Sequence, residues 1–115
     1  MSVNVSDVFR LLGEETRLRS LLLLAAEGEL CVCELTWTLD VVQPKISRHL
    51  AQLRAGGLVR DRRDGQWVHY RLAPDLPDWV HAMIRAAEQG AAGSLADDRR
   101  RLRAMPDRPA MRCAG

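Results

Sequence analysis

No apolar run in the 115 residues comes near the ~20 needed to span a bilayer. The longest, Leu21 to Ala26, is cut off by Glu27 and preceded by Arg17 and Arg19. Met1, Ser2, Val3 and Asn4 make neither a basic nor an apolar leader, so no signal peptide and no membrane partner are expected, and a soluble cytoplasmic protein is. Internal repeats and low-complexity segments are absent. There is no glycine-rich phosphate loop and no evident nucleophile, base and acid set, which argues against an enzyme and against an organic cofactor. Cysteine is scarce. Three residues, an odd number, cannot form a disulfide framework; in a reducing compartment Cys31 and Cys33, one residue apart, point to a metal or redox role or to inert buried thiols.

The charge that is present sits in one block. Net charge is +2, but residues 1–42 carry three arginines against seven acids, while residues 43–71 carry Lys45, Arg48, Arg54, Arg60, Arg62, Arg63 and Arg71 against only Asp61 and Asp64. A basic surplus of this kind is the footprint of a phosphate-binding surface, although a solvated face has the same composition. The length suits one domain, placed at residues 1–104, followed by a flexible C-terminal tail over 105–115 that contains Pro106, Pro109 and Cys113.

Apolar spacing predicts a first helix over Val5, Val8, Phe9, Leu11 and Leu12, with Ser6 as its N-cap and Gly13 as its end. Thr16, Leu18, Leu21, Leu22 and Ala25 make a second, core helix closed by Gly28. A short third helix covers roughly Cys33 to Leu39, and Asp40, Val41 and Val42 make a turn. Gln43 and Pro44 open a fourth, with proline where its missing N–H costs nothing. Ile46, Leu50 and Leu53 share its inner face; Pro44, Lys45, Arg48, Ala51 and Gln52 spread over the outer one. Leu58 to Leu72 reads as a β-hairpin turning at Asp64 and Gly65 in a type I′ turn. Val59, Val68, Tyr70 and Leu72 fall on one side of it, and Arg60, Arg62, Trp67, His69 and Arg71 on the other. After Pro74 and Pro77, a fifth helix carries the stripe Trp79, Val80, Met83, Ile84 and Ala87, and Ser94 caps a last helix to about Ala104. With no obvious partner in so small a core, that stripe is expected to join the first helix in a dimer interface. A basic helix followed by a basic hairpin is the arrangement of a winged helix-turn-helix: mainly α, with a β-hairpin wing.

Glu15, Thr16 and Arg17, the Leu30 to Leu35 stretch, Gln43 to Leu50, Leu58 with Val59, and Gly65 through Leu72 together resemble the ArsR/SmtB family of metal-sensing repressors, over about residues 5 to 90. The cysteine pair resembles the arsenite- and antimonite-responsive ArsR branch. The resemblance implies a homodimer that sits on double-stranded operator DNA, blocks transcription of resistance genes, and dissociates when As(III) or Sb(III) binds as inducer. In that branch a third cysteine follows three residues after the second, and here that position is Thr36. Either two thiolates suffice, or Cys113 supplies the third from its own subunit or the other.

Trivalent arsenic and antimony are thiophilic and take up to three thiolates in a pyramid, so the ligands should be sulfur only. On an α-helix residues i and i+2 lie about 200° apart, so capture by Cys31 and Cys33 should unwind or re-aim the start of the third helix and shift the fourth. The helix N-terminus should lower the thiol pKa, with Glu29 and Glu34 partly offsetting it. On the DNA side the candidates are Gln43, Lys45, Ser47, Arg48, His49, Gln52, Arg60, Arg62 and Arg63. Arg48 and Gln52 would read guanine and adenine edges, Lys45 and Ser47 suit phosphate, His49 suits packing, and the wing arginines suit backbone or minor groove. His69 is expected at the surface. Asp78, His81 and Glu88 on the fifth helix do not reproduce a His-rich zinc site. Two alternatives stay open: a sensor of methylated trivalent arsenic, which needs only two thiolates, and a thiol-based enzyme.

Overall fold

The computed structural model describes residues 3–107, and Cys113 lies outside them. Among the described residues nine elements follow in order: α1 (Val5–Leu12), α2 (Glu15–Glu27), β1 (Glu29–Cys31), α3 (Val32–Leu39), α4 (Gln43–Ala55), β2 (Val59–Asp64), β3 (Trp67–Leu72), α5 (Asp78–Gly90) and α6 (Ala92–Arg103). The winged helix-turn-helix is present: α3 and α4 are the two helices and β2 with β3 the wing. A cap formed by Asn4, whose side chain accepts from the Asp7 N–H at 3.0 Å, starts α1 two residues before the expected Ser6.

Leucines 21 to 24 on α2 are all buried, which makes α2 the centre of the core. Against it lie Leu35 of α3, Ile46, Leu50 and Leu53 of α4, Leu58, and Val80 and Ile84 of α5. Each such side chain contributes about 2 kcal/mol on leaving water. Gly28 closes α2 at φ +94°, a conformation costly for any residue with a Cβ, and reverses the chain into β1.

The hairpin runs from Val59 to Leu72, within one residue of the expected bounds, and its turn is shifted by one residue. Asp64 pairs with Trp67, so the turn is Gly65 and Gln66, and among its central residues only Gly65 has positive φ (+62°). That is the type II′ pattern rather than I′. A third strand was not expected: β1 pairs antiparallel with β3, setting Glu29 opposite Arg71, Leu30 opposite Tyr70 and Cys31 opposite His69. This added strand explains why His69 is buried rather than at the surface.

The α5 stripe is largely spent within the chain. Val80 and Ile84 are buried and Trp79 and Met83 half-buried, whereas Val5 and Phe9, one turn apart on α1, are more than half exposed. Helix α6 begins at Ala92, two residues before the expected Ser94 cap, and folds back over α2 and α3. The buried Asp98 takes both ends of the Arg19 guanidinium (2.6 and 3.1 Å), Arg99 meets Glu27 at 2.7 Å, and Trp37 of α3 donates to the Arg101 carbonyl at 3.1 Å.

Candidate functional site

Cys31 is not in α3 but is its N-cap, with extended backbone (φ −74°, ψ 151°), and Cys33 is the second residue of the helix. An extended N-cap swings its side chain over the first turn. The two sulfurs are therefore 3.1 Å apart, the Cys33 S–H donating to Cys31 Sγ. With metal–sulfur bonds of about 2.3 Å, two sulfurs at a right angle on one ion lie about 3.3 Å from each other, so the pair already has bridging separation. The expectation that capture must unwind α3 does not hold, because the 200° offset applies only when both residues are helical. Glu34 completes the cap: fully buried, its Oε1 accepts the Cys31 N–H at 2.7 Å. The sequence points to Glu34 only as a charge near the thiols, and its role in the cap is an addition of the structure. Its signal is the capping-box spacing, three residues from N-cap to Glu, with cysteine in the place usually held by serine or threonine.

The thiols open onto a cleft of about 770 Å³ between α4 and the wing. Gln43, Ser47, Ala51 and Arg54 line it from α4, Arg63, Trp67, Val68 and Tyr70 from the hairpin, and Met105 from beyond α6. Arg54 bridges to Asp61 of β2 at 3.0 Å, tying the two walls together. Ser47 thus faces the thiol cleft and is half-buried, while Lys45, Arg48 and Gln52 share the exposed face of α4. Among the described residues no three His, Cys, Asp or Glu side chains converge as a metal cluster; the described part of the site offers two sulfurs.

Residues 14–61 match the signature of the bacterial regulatory proteins of the arsR family. Over 103 residues, 90% of each chain, the sequence is 57% identical to the arsenic resistance transcriptional regulator ArsR2 of Pseudomonas putida. Over 81 residues, 70% of this chain and 69% of the other, it is 56% identical to the arsenical resistance operon repressor of Escherichia coli. The AntR antimony-specific transcriptional repressor superposes with a TM-score of 0.65, at 29% identity and 78% coverage of both chains. The chain belongs to the ArsR family. It is a transcriptional repressor of the ArsR type with a DNA-binding helix-turn-helix, not an enzyme, and no described helix is long and apolar enough to cross a membrane.

In this ArsR-family chain the candidate DNA contacts divide into free and tethered side chains. No acid among the described residues lies within ion-pair distance of Lys45, Arg48 or Arg63. Arg60 meets Asp75 at 3.3 Å, and Arg62 holds Glu29 of β1 at 2.6 Å, keeping that carboxyl below its usual range. Exposed pairs of this kind contribute little, about 0–1 kcal/mol, so a phosphate can displace the acid. His49 is buried and does not face outward: Arg17 Nη1 lies 3.1 Å from its Nδ1. The same Arg17 donates to Gln52 Oε1 at 2.7 Å, which turns the carboxamide oxygen toward α2.

The thiol electrostatics reverse the sequence expectation. Burial pushes the Cys33 thiol up to about 12, aided by its hydrogen bond to Cys31 and by the charge of Glu34 nearby. These outweigh the helix N-terminus. Alkylation of Cys33, followed by mass spectrometry of its peptide, should therefore rise about tenfold per pH unit from pH 7 to 10 without levelling, whereas a free thiol of pKa ~8.5 levels near pH 9. A plateau below pH 9 would contradict burial as the dominant influence.

Proposed function

We propose that this repressor senses trivalent arsenic or antimony through Cys31 and Cys33, and that capture releases it from operator DNA. The observation that carries the reading is the pair of sulfurs 3.1 Å apart at the mouth of the cleft whose walls are α4 and the wing. Arsenous acid exchanges two hydroxyls for two thiols: two As–S bonds form and two waters leave, the thiol protons going to the departing oxygens. The sulfurs need not travel. What changes is the cleft beside them, where the bound ion and its remaining ligand crowd Ser47 and the wing. Because α4 and the wing hold the DNA together, separating them weakens both sets of contacts.

Cys113 is proposed as a third ligand. Met105 lines the cleft and the sequence from there to Cys113 is eight residues, enough for the chain to return to the thiols in its own subunit. A homodimer is part of the same proposal, supported by the exposed Val5 and Phe9 of α1, which leave an apolar stripe for a second copy. The two-fold assembly would place two copies of α4 in adjacent major grooves, about one helical turn apart.

A second reading has its own support. Val68, Tyr70, Trp67 and Met105 give the cleft an apolar wall far larger than one ion requires. Methylated trivalent arsenic needs only two thiolates and would turn its methyl group to that wall. Gel shifts with the DNA upstream of the gene should show binding that arsenite abolishes. Comparing arsenite with monomethylarsenous acid then separates the two readings: release at lower concentration by the methylated species selects the second, and no specific shift at all would refute both.

A further inference from the structure

Four large apolar side chains stand exposed among the described residues: Val5, Phe9, Trp37 and Val42. Val5 and Phe9 form the α1 stripe assigned above to a second copy, and the Trp37 indole donates to the Arg101 carbonyl. Val42 is the most exposed of the four, at 69%, and it holds the N-cap of α4. An N-cap favours serine, threonine, asparagine or aspartate, whose oxygen accepts from a first-turn N–H, and valine is among the poorest residues there. Accordingly no side-chain hydrogen bond closes the start of α4. Nor does Val42 anchor the turn between α3 and α4, because its neighbour Val41 is the valine that packs against the core. In the free protein, then, residue 42 leaves a helix uncapped and an apolar side chain in water.

The complex with DNA is where such a side chain finds a partner. Helix α4 is the second helix of the helix-turn-helix, and the N-terminal residues of that helix are the ones that meet base edges in the major groove. Exposed Gln43 and Lys45 follow Val42 there, so its surroundings are polar and cationic. The major-groove edges of the bases carry one apolar group, the C5-methyl of thymine, which apolar side-chain groups contact. We propose that Val42 is a specificity-determining residue, packing on the methyl of a thymine beneath the start of α4. This rests on α4 being the helix that enters the groove. Burial of one methyl is worth about fourfold in affinity, and the same contact removes the valine from water.

Binding of the whole repressor to the DNA upstream of its gene is followed by fluorescence anisotropy, with each thymine replaced in turn by deoxyuridine, which lacks only the methyl. Wild type should lose about fourfold at a thymine under the start of α4. Val42→Ala should bind the unmodified DNA several-fold more weakly and no longer distinguish thymine from deoxyuridine at that position. Val42→Ser, which supplies a capping oxygen, should share the DNA defect yet melt no lower than wild type. A wild-type protein indifferent to every thymine methyl would overturn the proposal, as would a Val42→Ala protein that keeps the wild-type sensitivity. Val42→Ser melting well below wild type would also overturn it, by assigning the valine to the fold. Wild type that fails to bind this DNA at all refutes the placement of α4 and the proposal with it, a result distinct from wild type that binds and ignores the methyl groups.

Discussion

Replacing Cys31 by serine is expected to abolish release from the operator by arsenite while leaving the fold as stable as before, or more so. The asymmetry comes from the place of Cys31 in the chain. As N-cap of α3 it occupies a position where serine is among the best residues, because the hydroxyl oxygen accepts from the first-turn N–H groups. The gain is of the order of 0.5 kcal/mol, or a few degrees in Tm. A hard hydroxyl, however, does not replace a thiolate toward a soft ion. Cys33→Ser should behave alike in release, with stability close to wild type, since Cys33 is only half-buried and its S–H bonds nothing but Cys31 among the contacts described. Fluorescence anisotropy of labelled operator with increasing arsenite, alongside a thermal melt, checks both halves. Either serine variant still released by arsenite at wild-type concentrations would end the assignment of the inducer site to this pair, and a variant that no longer binds DNA would place the cysteines in folding instead.

How much of this was legible beforehand depends on which physical signal each element carries. The start of helix α4 at Gln43 is legible because Pro44 in its first turn and the apolar residues at 46, 50 and 53 are all local signals. The hairpin was placed correctly to within one residue, the slip arising because Asp-Gly and Gly-Gln both make plausible turns and only the strand register chooses between them. Strand β1 was invisible: three residues carry no periodicity, and its existence depends on an edge of β3 being free to pair. That one omission also misplaced His69. The thiol geometry failed for a related reason. Counting 100° per residue presumes a helix, and the start of α3 lies between the two cysteines rather than before them. Asp98 and its grip on Arg19 span 79 positions of sequence and leave no local trace, so the sequence predicts the last helix but not its packing across α2 and α3.

Loss of the Glu34 carboxylate should disturb both stability and thiol chemistry, and two substitutions separate these effects. Glu34→Ala removes a fully buried side chain, leaves space in its place, and strips the Cys31 N–H of its acceptor. The cavity and the unmet donor together cost about 2–4 kcal/mol, enough to lower Tm by about 10 °C or more. Since the same bond fixes the N-cap backbone, the sulfurs should also lose their 3.1 Å approach, and capture of arsenite should weaken more than operator binding does. Glu34→Gln keeps an oxygen for the Cys31 N–H and nearly the same volume, so its stability should fall much less. Its charge, however, is gone. The negative charge of Glu34 opposes ionisation of Cys33, so removing it lowers the Cys33 pKa and raises the thiolate fraction at any pH below that value. Alkylation of Cys33 in Glu34→Gln should accordingly run faster than in wild type throughout pH 7–10, while the melt stays near that of wild type. Slower alkylation in Glu34→Gln would show that the carboxylate acts on Cys33 chiefly through the shape of the cap and not through its charge.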